Sequence, residues 1–529
     1  MLKRSVWRPI AVAVFSVLLF CAILFFLFVL KLNILITDYL LLVAAVITLF
    51  VYVAGLLLFF GIRRKRSPAR RIRRIIGLAL SAILIVCFIF GSVFLKRVDS
   101  TKSAVSTEND EVKPNLVGVY VKSDDPAQSL SDMKAYSFAV LSELGEEKYF
   151  AKYAIERINE ELGVEVKTLS CAGIVDAAKA LSNGEAQAMA VTKSFLPLLE
   201  DTESFSDYTA QFRLICEIEV PPETVPEETH SPSTAPEKTT PAPEVTPVPR
   251  VYGEDQPLIF YLSGMDKPGD EIVSGAHGDV NILMAINPKT KQILLVSTPR
   301  DFFVTNFALG GGDKLTHCAL RGVSNSIAAL NKLYDIEVDN YCRINFTGFE
   351  KLVEELGGIT VENPVAFRTT PTNGNFYFEV GEVTLGGYEA LCYAREREAF
   401  GDGDLARGRN QVRIITGIIN KAKTNGASLL MNYNDILEAL AGTFETDLSS
   451  SQISDLVKVA LANLKDWEVK TYSAWGVSGK RTVASMGTEE VFIVWPNDKS
   501  VAFASKLFDT LLNDELITDE LLNTAPRQY

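Results

Sequence analysis

The stretch Leu258-Ile259-Phe260-Tyr261-Leu262-Ser263-Gly264-Met265-Asp266, with the segments Asp279 to Ile286 and Ile293 to Asp301 that follow it, decides the fold of this chain. Leu258 to Leu262, Ile282 to Ile286 and Ile293 to Val296 are continuous apolar runs, the pattern of strands buried on both faces. Asn287-Pro288-Lys289-Thr290 reads as a turn between the last two. Paired in antiparallel order, these strands bring the end of the first, the start of the second and the end of the third to one edge of a sheet. Asp266, Asp279 and Arg300-Asp301 then share that edge, which is the beginning of a site for a metal and a phosphate.

Outward toward the N-terminus, residues 221–249 hold nine of the chain's 22 prolines among Thr, Glu and Ser. This stretch lies in an extended tether over 219–252 and could reach on the order of 90 Å at ~3.1 Å per residue, enough to let the last domain work some way from the accessory one. His230 within it is an incidental solvated residue. Residues 115–218 suggest a small α/β accessory domain, with strands at 116–121, 164–169 and 187–191 and helices at 147–162 and 174–181. It shows no catalytic spacing and reads as a packing or binding module. A polar spacer fills 98–114.

Residues 9–30, 39–61 and 75–95 are apolar runs of the length a helix needs to cross a bilayer, so 1–97 is expected to be a three-helix membrane anchor. The loop between the second and third runs carries Arg63, Arg64, Lys65, Arg66, Arg70, Arg71, Arg73 and Arg74, whereas Lys31 to Asp38 is nearly neutral. The positive-inside rule then puts the N-terminus in the cytoplasm and everything after Leu95 outside. The expected location is the cell membrane, multi-pass. The first run is too long for a cleaved signal peptide and two more follow it.

The whole chain of 529 residues carries a net charge of −13; 14 Lys and Arg against one Asp in 1–97 leave the remainder at −26. An exterior that acidic argues against nucleic acid as a partner. Cys21 and Cys87 fall in the membrane runs. Cys171, Cys216, Cys318, Cys342 and Cys392 lie outside with no metal spacing; they read mostly as small buried residues, one disulfide being compatible with their number.

Toward the C-terminus, 253–515 alternates strands and helices as a larger α/β domain with a central mixed sheet flanked by helices. Helices are expected at Ala319 to Leu333, Phe346 to Leu356, Gly386 to Tyr393, Leu405 to Thr424, Ile453 to Leu464 and Val501 to Leu512. The most legible segment is Tyr393-Ala394-Arg395-Glu396-Arg397-Glu398, followed by Gly403-Asp404-Leu405-Ala406-Arg407-Gly408-Arg409-Asn410-Gln411. If 395–398 is extended, Arg395 and Arg397 project from one face and Glu396 and Glu398 from the other. Two neighbouring guanidinium groups repel unless an anion lies between them.

At ~100° per residue, Asp404, Arg407 and Gln411 fall within about 60° of one another on the next helix. Ile415 and Ile418 continue that stripe, and Arg409 and Arg413 lie opposite. The apolar stripe marks the inward face, so the three polar side chains point inward and line a pocket near the helix N-terminus, where an anion is favoured. Purely structural readings exist for single residues: an Asp404–Arg407 salt bridge, Arg395 and Arg397 paired with adjacent glutamates, Asp301 as a cap.

These residues resemble the LytR-CpsA-Psr family of bacterial envelope enzymes. The resemblance rests on Gly264-x-Asp266, Asp279, Ile286-Asn287-Pro288, Ser297-Thr298-Pro299-Arg300-Asp301, Lys314-x-x-His317, Leu356-Gly-Gly358, Tyr393-Ala-Arg395-x-Arg397, and Gly403-Asp404-x-x-Arg407 with Gln411. It is strong over about 256–425 and weaker toward 500. Three membrane runs and an accessory domain resemble the capsule-associated members.

The resemblance implies a membrane-anchored, Mg²⁺-dependent phosphotransferase that moves a glycopolymer, whether capsule, teichoic acid or another wall glycan, from polyprenyl pyrophosphate to peptidoglycan, with pyrophosphatase activity on the side. It implies Asp266 and Asp279 as Mg²⁺ ligands and Arg300, Arg395, Arg397 and Arg407 as pyrophosphate ligands, with Arg397 also counted as catalytic. Gln411 and Lys314 add donors, and Asp404 or Asp301 is the base. The competing reading is a non-catalytic envelope regulator or scaffold that binds the same lipids. His277 stands where the family commonly has an arginine, and Val280-Asn281 replaces a Thr after Asp279. His317 is open to two readings, a donor facing the ligand or a hydrogen-bonded core histidine. The lipid requires an apolar slot, for which the helices at 319–333 and 346–356 with Phe302, Phe303 and Phe307 are candidates.

Overall fold

The computed structural model describes residues 115–221, 256–265, 275–431, 433–449 and 466–527, with Ile23 and a few single positions between these segments. The three expected membrane spans, apart from Ile23, lie outside the described residues, as do most of the tether, Asp266 and most of the expected helix at 453–464. Among the described residues no helix is long and apolar enough to cross a membrane.

The accessory domain contains strands β1 (Asn115–Lys122), β2 (Ser137–Val140), β3 (Lys167–Ser170), β4 (Ala188–Thr192) and β5 (Phe212–Val220). They form one mixed sheet in the order β3-β2-β4-β1-β5. Helices α1 (Glu147–Leu162) and α2 (Ile174–Asn183) pack into two different apolar clusters. A short 3₁₀ helix, Lys193–Asp201, follows β4.

The larger domain is built on β6 (Leu258–Met265), β7 (Gly278–Asn287) and β8 (Gln292–Ser297), paired antiparallel in sequence order. Further on come β9 (Phe303–Asn306), β10 (Gly311–Lys314), α3 (Val323–Tyr334), β11 (Asn340–Asn345), α4 (Phe346–Glu355), β12 (Ile359–Asn363) and β13 (Gly381–Leu385). Then follow α5 (Gly387–Arg395), α6 (Asp404–Met431), α7 (Tyr433–Leu440), β14 (Phe444–Thr446), β15 (Glu468–Ser473), β16 (Gly476–Thr482), β17 (Glu490–Pro496) and α8 (Asp498–Leu512). The central sheet runs β14-β11-β6-β7-β8-β15 and is mixed, with β11 and β15 parallel to their neighbours β6 and β8.

The uninterrupted apolar runs have the cause the pattern implies: helices cover both faces. Ile282, Met284 and Ile286 of β7 pack toward Val412, Ile415 and Ile419 of α6, whereas Leu283 and Ala285 pack toward Leu330 of α3 and Leu507, Phe508 and Leu511 of α8. The fold continues past the expected limit at 515, since Ile517 is fully buried and its N–H donates to Gln292.

Two local expectations change. The helix expected over 319–333 is broken at Gly322, whose φ of +101° only glycine adopts without strain; α3 starts after it. Helix α5 continues through Arg395, so 395–398 is not a strand.

The accessory domain is docked on the larger one and does not work at a distance from it, as the tether length suggests it could. Leu309, Leu320, Val483, Met486, Val491 and Ile493 belong to the same apolar cluster as α2. Arg321 donates to Glu146 at 2.9 Å, pairs with Glu147 at 3.3 Å and lies over the Phe150 ring. Ile174 N–H donates to the Ser485 carbonyl, and the approach there is so close that a Cβ at Gly173 would lie 2.1 Å from Gly487 N.

Candidate functional site

Antiparallel pairing of β6, β7 and β8 puts Asp279 and Arg300 at one edge of the sheet, as expected. Arg300 donates through Nη1 to both oxygens of Asp279, each at 3.0 Å. Its Nε makes no hydrogen bond and lies 3.6 Å from Asp301 and 3.8 Å from Asp404. Arg407 pairs with Asp404 one turn earlier on α6 and lies 3.7 Å from Asp279. The Asp404–Arg407 salt bridge and the pocket-lining role therefore coexist.

Two cavities meet at these charges. The larger, about 640 Å³, is walled by apolar side chains, among them Leu262, Met284, Phe346, Phe349, Leu352 and Ile418, and is capped by Asp279, Arg300, Arg395, Arg397, Arg407 and Gln411. The smaller, about 310 Å³ and called the polar cavity for its side chains, is bordered by Asp201, His277, Asp301, Lys314, Thr316 and Asp404, and by Phe492. Arg300 and Arg397 line both. All the described residues expected at the site therefore converge on it. The apolar wall uses α4 but neither α3 nor the three phenylalanines: Phe302 is buried in the core on the opposite face of the sheet, Phe303 packs on Trp495, and Phe307 lies under Lys332.

Arg395 and Arg397 reach the cavity by a different local structure from the extended one expected. Arg395 ends α5 and lies over the Phe346 ring, 4.4 Å from its centroid. Glu396 does not project outward. It is 1% exposed, and its carboxylate accepts from the N–H groups of Thr370, Arg397, Glu398 and Ala399 and from the Asn373 amide. These bonds outweigh the burial that would otherwise raise its pKa and hold it low. Glu396 is thus the anchor of the loop that presents Arg397, a role that alternation along the sequence does not reveal.

The electrostatics separate the carboxylates. Burial would raise the pKa of Asp279, but Arg300 and Arg407 outweigh it and hold the group ionised. Asp404 goes the other way: burial raises its pKa, and Arg407 and Arg300 only partly offset this. Two carboxylates near one pair of arginines thus differ in proton affinity, the condition for separating a charge-holding from a proton-accepting role.

His317 is a core histidine. It is 1% exposed, and its Nδ1 lies 2.8 Å from both Asp313 and Ser485 Oγ. Its Nε2 is 3.9 Å from Asp201. His277, the residue in place of an arginine, sits edge-on to it at 6.0 Å between ring centroids, and burial lowers its pKa to about 4. A neutral imidazole replaces a cation there. Lys314 bridges Asp301 at 3.3 Å and Asp201 at 3.5 Å. Asp201 belongs to the accessory domain, and no sequence signal connects it to a site more than 60 residues away.

Mg²⁺ takes one or two carboxylates with phosphate and water oxygens. Asp279 supplies one ionised carboxylate where the cavities meet, a donor that fits such an ion. No group of three or more His, Cys, Asp or Glu among the described residues could hold a metal by itself. All five cysteines of the described domains are free.

The site is thus an apolar cavity capped by guanidinium groups. The chain belongs to the LytR_cpsA_psr family, which it matches over residues 226–491. It is 33% identical over 207 residues to the polyisoprenyl-teichoic acid–peptidoglycan teichoic acid transferase TagU of Enterococcus faecalis, covering 39% of this chain and 65% of that one. With the protein of the same name from Bacillus cereus it shares 31% over 214 residues, covering 40% and 66%. The chain thus spans just under two thirds of the length of these relatives. The crystal structure of B. subtilis TagU aligns with a TM-score of 0.38 at 26% identity, covering 50% of this chain and all of that one.

Proposed function

We propose that this protein is a membrane-anchored phosphotransferase that moves a glycopolymer from polyprenyl pyrophosphate to peptidoglycan, and that it hydrolyses the pyrophosphate when no acceptor is bound. The observation that carries the reading is the apolar cavity of about 640 Å³ closed at one end by four arginines. An isoprenoid chain suits the apolar part, and fork-shaped guanidinium groups suit the pyrophosphate. The names of the relatives, which act on polyisoprenyl-linked teichoic acid and peptidoglycan, support the same donor and acceptor classes.

In this reading Arg300, Arg395, Arg397 and Arg407 bind the pyrophosphate, with Gln411 and Lys314 as further donors. Asp279, together with Asp266, would hold Mg²⁺, which when bound supplies neutralising charge to the phosphates. Asp404, whose burial favours the proton, takes it from the attacking hydroxyl, and Asp301 keeps Lys314 and Arg300 in place. The domains lie outside the membrane, anchored by spans at 9–30, 39–61 and 75–95.

The test uses the full-length protein in detergent with Mg²⁺, a labelled glycan on prenyl pyrophosphate and peptidoglycan oligomers. Wall-linked label, absent for Arg395→Ala/Arg397→Ala, is expected. Tight lipid binding without product across several glycans would establish the scaffold reading instead.

A further inference from the structure

In a phosphoryl transfer the attacking and leaving oxygens lie roughly in line on either side of phosphorus. The leaving group here is a prenyl phosphate whose chain occupies the apolar cavity. Arg300 and Arg397 stand between that cavity and the polar one, so the nucleophile must arrive from the polar side. We infer that the polar cavity of about 310 Å³ is the acceptor subsite for a hydroxyl-bearing sugar, and that the accessory domain builds one of its walls with Asp201. This rests on the transferase reading above.

The lining suits a sugar. Thr316 is 4% exposed and its hydroxyl makes no hydrogen bond; His277 Nε2 is likewise buried without one. Buried polar atoms left this way are costly unless a ligand satisfies them, and sugar hydroxyls donate and accept alike. Asp201 suits hydroxyls and repels phosphate, so this wall favours the acceptor over the anionic donor. It stands 3.5 Å from Lys314 with its side chain 44% exposed, so it remains open to a ligand. In the reaction the acceptor oxygen bonds to phosphorus, the bond to the prenyl phosphate oxygen breaks, and the hydroxyl proton passes to Asp404. Prenyl phosphate leaves on the apolar side.

The test compares full-length wild type, Asp201→Asn and Thr316→Val with one labelled donor and peptidoglycan oligomers of varied concentration. Both variants are expected to raise KM for the oligomer, roughly tenfold for Asp201→Asn, which loses a hydrogen bond to a charged group, and about fivefold for Thr316→Val, which loses a neutral one. Because Asp201 also pairs with Lys314, any change in the donor KM, or in donor hydrolysis without acceptor, is expected to be smaller than the rise in the acceptor KM. Thermal unfolding checks that Asp201→Asn stays docked; Thr316→Val probes the same cavity from the other domain if it does not. An unchanged acceptor KM in both variants, with wild type active, overturns the subsite alone, as does a rise confined to the donor. A wild type that makes no wall-linked product removes the transferase reading itself.

Discussion

Arg300 grips Asp279 through a single nitrogen, Nη1, which contacts both carboxylate oxygens at 3.0 Å and leaves Nε without a hydrogen bond. The guanidinium is therefore fixed from two sides, by Asp279 at Nη1 and by Asp301 and Asp404 facing Nε. Arg300→Lys keeps the charge and loses the fork. The expected cost is about 1.5–3 kcal/mol, or roughly ten- to a hundredfold in kcat/KM for transfer. Steady-state rates measure it, and a lysine variant as fast as wild type would show that only charge matters.

The apolar cavity makes its own demand. Leu352→Trp pushes a larger ring into its wall, and overpacking typically costs about 1–3 kcal/mol. Affinity for a long prenyl pyrophosphate is expected to fall more than affinity for a two-isoprene analogue. Equal losses for both lipids would mean that the chain lies elsewhere.

Arg321 is 3% exposed at its side chain and faces Glu146 and Glu147 of the other domain. Removing it as Arg321→Met strands two buried carboxylates, a change that typically costs about 3–5 kcal/mol. Calorimetry is expected to show a lowered transition that splits as the domains uncouple. A single transition at the wild-type temperature contradicts this account of docking.

His317 gives docking a pH dependence. Burial alone would lower its pKa, but Asp313 and Asp201 more than offset this and raise it. A raised folded value means that the stabilisation is complete below the unfolded pKa, about 6.5, and is lost as pH rises through the folded value. Unfolding midpoints measured from pH 6 upward should decline in wild type more than in His317→Gln. Parallel curves for the two proteins would place the titration in another group.

The sequence makes one side of the site legible and hides the other, for reasons of range. Asp404, Arg407 and Gln411 share an inward stripe because a helix repeats every 3.6 residues, and the apolar Ile415 and Ile418 say which way is in. The antiparallel pairing of β7 and β8 follows from the four-residue connection 288–291 between them. Arg395 ends α5 and does not lie on an extended segment, a boundary set by the burial of Glu396 that nothing local in the sequence marks. Asp201 arrives by domain docking, and periodicity carries no information about that.

The apolar cluster that α2 shares with Leu309, Leu320, Val483 and Met486 has a practical corollary for engineering. Replacing the accessory domain by another would remove Asp201 from the wall of the smaller cavity as well as a surface module. The interchangeable unit is the pair of domains, and a chimera cut between them would have to be repaired across the whole seam.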